Sequence, residues 1–375
     1  MGSQIHAPQH NTHPLGFRVF ELGRLRSGRP VEVIELSAGQ LRVGLCCLGA
    51  RIIYVTMPDR RAQESSVCLR YPTAEDYELD KIYLGATVGR VANRINSGQC
   101  KLGAEKLSLS KNEPHTGHHL HGGRFGLDGN HWSFKILRCS GDPQRIGVAF
   151  TTYQPAGHEG YPGRLNVSAI YTVDIYNRLS IELRASADAT TIVNLTNHTY
   201  WNLSGRADEG SSIGGHMLRL SSESYLERSH SRLPTGQVLP VEDTAFDFRQ
   251  ARPMEEQLER FADGNLDHFF VTPADAPRVR GIFHASEVEL RQAATLIHPG
   301  SGRQMDVATD QPGLQVYAAH TLSRASQGRW RDHSGLCLET QGYPDAPNHP
   351  NFPSITLERG DTSIQKTQFT FSIID

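Results

Sequence analysis

The residues best suited to proton transfer lie in one short segment, residues 191–205, which reads TIVNLTNHTYWNLSG. Its polar side chains, set among apolar and aromatic residues, are Asn194, Asn197, His198 and Asn202. A fold that buries this segment must give several amides and an imidazole hydrogen-bond partners together. His198 is therefore a candidate proton-transfer group, and a satisfied structural histidine is the alternative.

Two carboxylates stand beside apolar runs. Glu339 follows Leu336, Cys337 and Leu338 and precedes a loop that contains prolines. A carboxylate at the end of a buried strand usually has a perturbed pKa, so Glu339 is a candidate functional group, with a structural ion pair as the alternative. Asp267, before His268-Phe269-Phe270, has the same character.

Two further segments supply polar groups. In GATVGRVANRI (85–95), Arg94 follows Asn93 and either lies on the surface or points a fork of donors into a cleft. The segment NEPHTGHHLHGG (112–123) holds four histidines, but its proline and glycines exclude the helix that would give a compact ligand set. We therefore expect no metal here, and a loop in which only His121, held by paired glycines, does chemistry.

Composition narrows the class of protein. The chain has 375 residues, with 38 Lys and Arg against 40 Asp and Glu, a net charge of −2, and no long single-sign run. Nothing in this pattern indicates a nucleic acid or a membrane as partner. The 35 glycines and 20 prolines indicate many turns between short strands, which predicts an all-β fold with a few short helices.

The six cysteines form no CxxC pair, so we interpret them as unpaired core residues in a reducing compartment. No segment has the apolar core of a signal peptide or the ~18 apolar residues of a membrane-spanning helix. The sequence thus predicts a cytoplasmic protein. Residues 1–15 are expected to be a disordered extension, whether native or left by cloning.

Alternating apolar residues predict strands from Val31 onward, through 51–57, 148–153, 165–173 and 179–183 to a closing strand at 369–373. Helices are predicted at 73–79, from an N-cap and acidic first turn, and at 253–261, from a proline at the first turn. Since no linker or composition break follows residue 16, we expect one domain over 16–375.

Seven segments together resemble the motifs of the aldose 1-epimerase family, the galactose mutarotases, in that family's order. They span nearly the whole chain beyond the extension, which makes a chance match very improbable. The segments are GATVGRVANRI (85–95), LHGG (120–123), TNHTYWNL (196–203), LPTGQVLPVEDTAFDF (233–248), LDHFF (266–270), QPGLQVY (311–317) and LETQGYPDAPNHPNFPS (338–354).

The resemblance implies a large antiparallel β-sandwich and a division of roles. It makes Glu339 the general base and His198 the general acid. The positions that bind sugar hydroxyls or steady this pair are Asn93, Arg94, His121, Tyr200, Asp267 and Gln315. The sequence departs from the family at Trp201, where a phenylalanine is usual, and we expect this change to alter an aromatic wall of the sugar site.

The implied reaction interconverts the α and β anomers of free aldohexoses such as galactose and glucose. A base takes the C1 hydroxyl proton while an acid protonates the ring oxygen, and each role is worth roughly 10²–10⁴-fold. No cofactor or metal is required, and the expected assembly is a monomer or homodimer. If Glu339 is ionised and His198 protonated in the active form, kcat/KM should be bell-shaped in pH, with the acidic limb due to Glu339 and the alkaline limb due to His198.

Three other functions stay open at this point. A hexose-6-phosphate 1-epimerase would need basic groups beyond Arg94, and the motifs contain no clear phosphate-binding cluster. A non-catalytic carbohydrate-binding protein would not need Glu339 and His198 together. A glycoside hydrolase would use two carboxylates, for which Asp267 and Glu339 are the candidates.

Overall fold

The computed structural model of the protein describes residues 12–138, 144–206 and 209–374. Strands dominate these residues. The strands of the first half are β1 His13–Arg24, β2 Pro30–Gly39, β3 Leu41–Cys46, β4 Arg51–Pro58, β5 Glu64–Ser66, β6 Thr87–Val88, β7 Arg94–Ile95, β8 Gln99–Leu102, β9 Glu105–Ser108, β10 His119–Leu120, β11 Ser133–Arg138, β12 Arg145–Gln154, β13 Leu165–Asp174 and β14 Arg178–Ala187.

The second half of the chain contains the remaining strands. These strands are β15 Thr191–Ile192, β16 Thr196–Asn197, β17 Tyr200–Trp201, β18 Met217–Leu220, β19 Ser224–Arg228, β20 Pro234–Pro240, β21 Arg252–Pro253, β22 Asp267–Val271, β23 Arg278–Ile282, β24 Glu287–His298, β25 Arg303–Thr309, β26 Gly313–Tyr317, β27 Leu336–Gln341, β28 Thr356–Leu357 and β29 Thr362–Ile373.

Three large antiparallel sheets carry the fold. The first has five strands in the order β1-β2-β3-β4-β5. The second has ten, in the order β11-β12-β13-β14-β29-β25-β24-β18-β21 with β23 paired to β24, and the third has six, in the order β17-β27-β26-β22-β19-β20. One apolar cluster includes residues of all three, such as Leu36, Val173 and Leu314, each fully buried. The fold is therefore a large antiparallel β-sandwich, which confirms the all-β prediction.

The α-helices of the described residues are short: α1 Ala74–Glu78, α2 Met254–Glu259 and α3 Leu322–Ala325. Helix α1 begins as predicted, because the Thr73 side chain accepts a hydrogen bond from the Asp76 backbone N–H. Helix α2 follows Pro253, as its sequence predicts, whereas α3 has no comparable start signal and was not predicted. Within the described ranges, none of these helices is long and apolar enough to cross a bilayer.

The N-terminal prediction needs a correction at its boundary. Residues 1–11 lie outside the described residues, but β1 begins at His13, inside the segment expected to be disordered. Strand β1 pairs with β2 as far as His13 opposite Gly39, and the His13 ring contacts Glu64 at 2.6 Å. Backbone pairing and this polar contact order β1, because Leu15 and Phe17 stay exposed and contribute little buried apolar surface.

The prediction that the cysteines are unpaired core residues is confirmed for those in the described residues. Cys46, Cys47, Cys68, Cys100 and Cys337 are buried and free of disulfides, and Cys139 lies outside the described residues.

A buried ion pair fixes the turn over residues 80–84. The Arg51 and Asp80 side chains are 2% and 1% exposed, and Arg51 Nη1 donates to Asp80 Oδ2 at 2.6 Å. The same carboxylate accepts the backbone N–H groups of Ile82 and Leu84, at 3.0 and 2.9 Å. The buried Asp80 carboxylate therefore fixes the turn over residues 80–84, because a buried charge is stable only when hydrogen bonds compensate its loss of hydration.

We expect Arg51→Ala to lower the free energy of unfolding by about 3–5 kcal/mol, because it leaves the Asp80 charge buried without its partner. Arg26→Ala is the matched control, since the Arg26–Glu75 pair is exposed and should contribute about 0–1 kcal/mol. Urea unfolding followed by circular dichroism measures both. Equal losses in the two variants would contradict this account of the Arg51–Asp80 pair.

Candidate active site

Three neighbouring strands place polar side chains on one face of the six-stranded sheet. Strands β22, β26 and β27 lie side by side, and Gln315 on β26 is directly opposite Glu339 on β27. Asp267, at the start of β22, is opposite Tyr317, which lies two residues beyond Gln315. Because residues directly opposite each other and residues two apart share a face, these side chains converge.

The asparagines of the 191–205 segment are satisfied by backbone groups of distant segments. Asn194 accepts from the Gly342 N–H at 2.8 Å and donates to the Gly342 carbonyl at 3.2 Å, just beyond the end of β27. Asn197 donates to the Gly85 carbonyl at 2.9 Å, and Asn202 binds carbonyls of two further segments. The amides therefore fix the segment that carries the histidine against the strand that carries the glutamate.

His198 lies between these anchors and faces Glu339. Its Nε2 is 3.6 Å from Glu339 Oε1, and its Nδ1 is 3.5 Å from Cys337 Sγ. The Tyr200 ring stacks on the imidazole with centroids 5.0 Å apart, while the Tyr200 hydroxyl donates to the Ile82 carbonyl at 2.9 Å. Tyr200 therefore orients His198, one of the two roles implied for it.

His121 and Asn93 form a reciprocal backbone lock. His121 N–H donates to the Asn93 carbonyl at 3.0 Å, and Asn93 N–H donates to His121 Nδ1 at 3.2 Å. Both residues have positive φ, 52° and 61°, which only a well-fixed loop tolerates. Since Nδ1 accepts, the proton of the neutral ring is on Nε2, so His121 presents a hydrogen-bond donor.

Each remaining carboxylate of the site has an arginine partner. Arg94 binds Glu113 with two parallel hydrogen bonds of 2.9 and 2.7 Å. Asp267 accepts from Gln315 Nε2 at 2.6 Å and from Arg228 Nη1 at 2.9 Å. Glu339 is the exception, because its Oε2 is buried and has no hydrogen-bond partner among the described residues.

All eight residues predicted from the sequence line one cavity of about 210 Å³: Asn93, Arg94, His121, His198, Tyr200, Asp267, Gln315 and Glu339. Other residues on its walls were not predicted, namely Lys81, Tyr83, Glu113, Arg232, Tyr317 and His320. A signal existed for Glu113, as the carboxylate of the histidine-rich loop. Lys81 and Arg232 stand in turns with no distinctive pattern.

Burial sets the protonation of the central pair. Burial lowers the pKa of His198 to about 4. Burial also raises the pKa of Glu339 well above its usual value, and the nearby charge of Asp267 raises it further. In the free enzyme the proton shared by the pair is therefore on Glu339. The acidic limb of the pH profile is then due to His198 and the alkaline limb to Glu339, the reverse of the expectation from the sequence.

Asp267 has the opposite behaviour. Although burial raises its pKa, the charges of Arg228 and Arg94 outweigh burial and lower the pKa to about 2. Asp267 therefore stays a carboxylate, and both of its oxygens accept hydrogen bonds from protein groups.

His121, His198 and Glu339 are close enough to suggest a metal site, with one ligand atom from each within 4.8 Å of the others. The tautomer of His121 opposes this reading. Its Nε2 carries the proton while Nδ1 accepts from Asn93, so binding a metal through Nε2 would break that hydrogen bond. The prediction that no metal is bound therefore stays a prediction, with a physical reason behind it.

Two other histidines of the 112–123 loop, His118 and His119, have structural partners. His119 Nδ1 donates to the Ser110 carbonyl at 2.7 Å, and its Nε2 contacts the Tyr161 hydroxyl at 2.6 Å. His118 Nδ1 accepts from a backbone N–H at 3.0 Å, and its Nε2 donates to the Ser231 carbonyl at 3.1 Å. These contacts hold the loop and leave His121 as the loop histidine on the cavity wall.

The expectation for Trp201 was wrong. Its indole is 1% exposed and packs on Phe369 and Phe371, with ring centroids 5.0 and 5.8 Å away, in the core between sheets. Alternation along β17 explains this, because Tyr200 faces the cavity and its neighbour must face the other side.

Comparisons with known proteins identify the family of the chain. The family model described as aldose 1-epimerase matches residues 32–370. A galactose mutarotase of Homo sapiens is 36% identical over 357 residues, covering 94% of this chain and 97% of that protein. An aldose 1-epimerase of Escherichia coli K12 is 30% identical over 358 residues, covering 92% and 96%.

A solved structure is similar as well. The crystal structure of a galactose 1-epimerase from Lactobacillus acidophilus aligns with a TM-score of 0.81 and 26% identity, covering 96% of this chain and all of that one. The fold, with its relatives, defines a class of β-sandwich enzymes that act on carbohydrates. The chain belongs to the aldose 1-epimerase family.

We expect kcat/KM to be bell-shaped in pH, because the active pair holds one proton. Activity should fall as pH drops through about 4, where His198 takes up a second proton. It should fall again as pH rises through the raised pKa of Glu339, where the last proton leaves the pair. Circular dichroism at each pH excludes unfolding as the cause. An acidic limb near the ordinary histidine pKa of about 6.5 would contradict the burial effect on His198.

We expect treatment with a chelator to leave both folding and activity unchanged, because the His121 tautomer disfavours a bound metal. Metal analysis of the purified protein before and after treatment provides the direct check. Stoichiometric zinc, with activity lost on its removal and restored on its return, would overturn this prediction.

Proposed function

We propose that this protein is an aldose 1-epimerase that interconverts the α and β anomers of free aldohexoses, with galactose and glucose as substrates. The observation that carries the proposal is the approach of His198 Nε2 to Glu339 Oε1, at 3.6 Å, on the wall of a polar cavity. Membership of the aldose 1-epimerase family supports the same reaction.

The chemistry follows from what the two groups exchange with a sugar. The C1 hydroxyl donates a hydrogen bond to Glu339, which favours the ionised carboxylate, and the shared proton then resides on His198. Glu339 removes the hydroxyl proton while His198 protonates the ring oxygen, and the bond between C1 and the ring oxygen breaks. Rotation about the C1–C2 bond and the reverse proton transfers then give the other anomer.

The remaining cavity residues bind the sugar. His121 presents an N–H donor, and Asp267 presents carboxylate oxygens held in place by Gln315 and Arg228. Arg94 is fixed by Glu113, so its guanidinium has one orientation. A fixed set of donors and acceptors keeps the open aldehyde in place until it recloses.

The alternatives are less well supported by these contacts. A binding protein without activity would have no use for Glu339, a buried carboxyl group with one oxygen unpartnered in the described structure. A glycoside hydrolase would use Asp267 as its second carboxylate, but that reaction has no role for the close approach of His198 to Glu339.

Three predictions from the sequence remain proposals: that the chain from β1 onward is a single domain, that it is cytoplasmic, and that it is a monomer or homodimer. Size-exclusion chromatography with light scattering would test the assembly.

We expect the purified protein to accelerate mutarotation of fresh α-D-galactose and α-D-glucose in a polarimeter without any added cofactor. Glu339→Gln removes the base and His198→Asn removes the acid, so each should lower kcat by at least about 10²-fold. Glu255→Gln, an exposed change of the same kind on α2, is the matched control and should have no effect.

Circular dichroism must show that the inactive variants remain folded. If neither sugar relaxes faster than in buffer, the proposed activity is wrong. If either Glu339→Gln or His198→Asn stays folded with near wild-type kcat, the activity stands and the assignment of that residue fails.

A further inference from the structure

Two basic side chains on the cavity wall form no ion pair within the described structure. Arg94 is paired with Glu113, and Arg228 is paired with Asp267. Lys81 and Arg232 also line the cavity, and within the described residues neither forms an ion pair. The surplus contrasts with the whole chain, which has a net charge of −2.

Arg232 is held in a defined place. Its turn is closed by hydrogen bonds from Ser229 N–H to the Leu233 carbonyl at 2.8 Å and from Arg232 N–H to the Ser229 carbonyl at 2.9 Å. His118 anchors the turn from the neighbouring loop through the Ser231 carbonyl, at 3.1 Å. The half-buried guanidinium is therefore delivered to the cavity by a braced turn and not by a free loop.

Lys81 belongs to the turn that the buried Arg51–Asp80 pair fixes. Asp80 accepts the N–H groups of Ile82 and Leu84 on either side of the cavity-lining Tyr83. The Lys81 side chain is exposed, whereas Glu339 and His198 are buried. Lys81 and Arg232 thus mark the open end of the cavity, and the reacting groups mark its closed end.

Neutral sugar hydroxyls can be bound without two unpaired cations. A carboxylate or phosphate would gain more from such cations, because hydrogen bonds between ions are roughly twice as strong as those between neutral groups. Arginine is also suited to binding either anion through two parallel hydrogen bonds.

We propose that Arg232 and Lys81 form an anion subsite at the open end of the cavity, and that the enzyme also turns over aldoses with a carboxylate or phosphate remote from C1, such as hexuronic acids. The proposal rests on the proposed mutarotase function. It adds a substrate class, and it gives His118 a positioning role through the turn that carries Arg232.

The test compares kcat/KM for galactose, galacturonate and galactose 6-phosphate in wild type and in Arg232→Gln. We expect the ratio of kcat/KM for either anionic sugar to that for galactose to fall about tenfold in the variant, the effect of losing one charge-assisted hydrogen bond of about 1.4 kcal/mol. Arg219→Gln, which removes an exposed charge from β18 in another sheet, should leave the ratio unchanged.

A binding measurement separates the subsite from catalysis. Calorimetric titration of galacturonate into Glu339→Gln should show binding that weakens with added salt and with Arg232→Gln on the same background. If Arg232→Gln does not fold, Lys81→Gln takes its place. Loss with galacturonate alone or galactose 6-phosphate alone identifies which anion the subsite takes.

The outcomes distinguish the two proposals. No acceleration of galactose mutarotation by wild type would remove the proposed function itself. Acceleration of galactose with neither anionic sugar turned over, or an equal loss on all three sugars in Arg232→Gln, would overturn the anion subsite and leave the mutarotase function standing.

Discussion

The removal of the Glu339 carboxyl group from water is the constraint on which the site depends. A buried carboxyl group with one unpartnered oxygen cannot keep a charge by itself, so its proton is shared with His198, whose Nε2 lies 3.6 Å from Glu339 Oε1. The other two carboxylates of the cavity are each fixed by an arginine. Proton exchange is thereby confined to one pair, while the neighbouring charges stay constant through the reaction.

Much of this site could be predicted because its residues lie in segments with local signals. Asn194, Asn197 and His198 interrupt an apolar run, and a buried run tolerates such residues only if each finds a partner. Glu339 ends another apolar run in the same way. Alternation and turn residues likewise predicted the main strands, since period-two burial is a property of the local sequence.

What could not be predicted depends on contacts between distant segments. Arg232 reaches the cavity because His118 braces its turn from 113 residues away, and no local pattern encodes that contact. The proton distribution between Glu339 and His198 depends on how completely both are desolvated. Strand β1 depends on its pairing with β2, because its apolar residues Leu15, Phe17 and Val19 stay exposed. In the same way, only the pleat of β17 shows that Trp201 faces the core.

The amide of Asn194 holds Gly342 across a separation of 148 residues, and this has a consequence for folding. Closing so long a loop costs chain entropy that is offset only when the sheets pack. His198 and Glu339 therefore come together late in folding. A partly folded chain with some sheets formed would lack the pair altogether. Recovery of activity during refolding is therefore expected to follow the recovery of strand content. Activity would then measure how much of the chain has reached the complete fold.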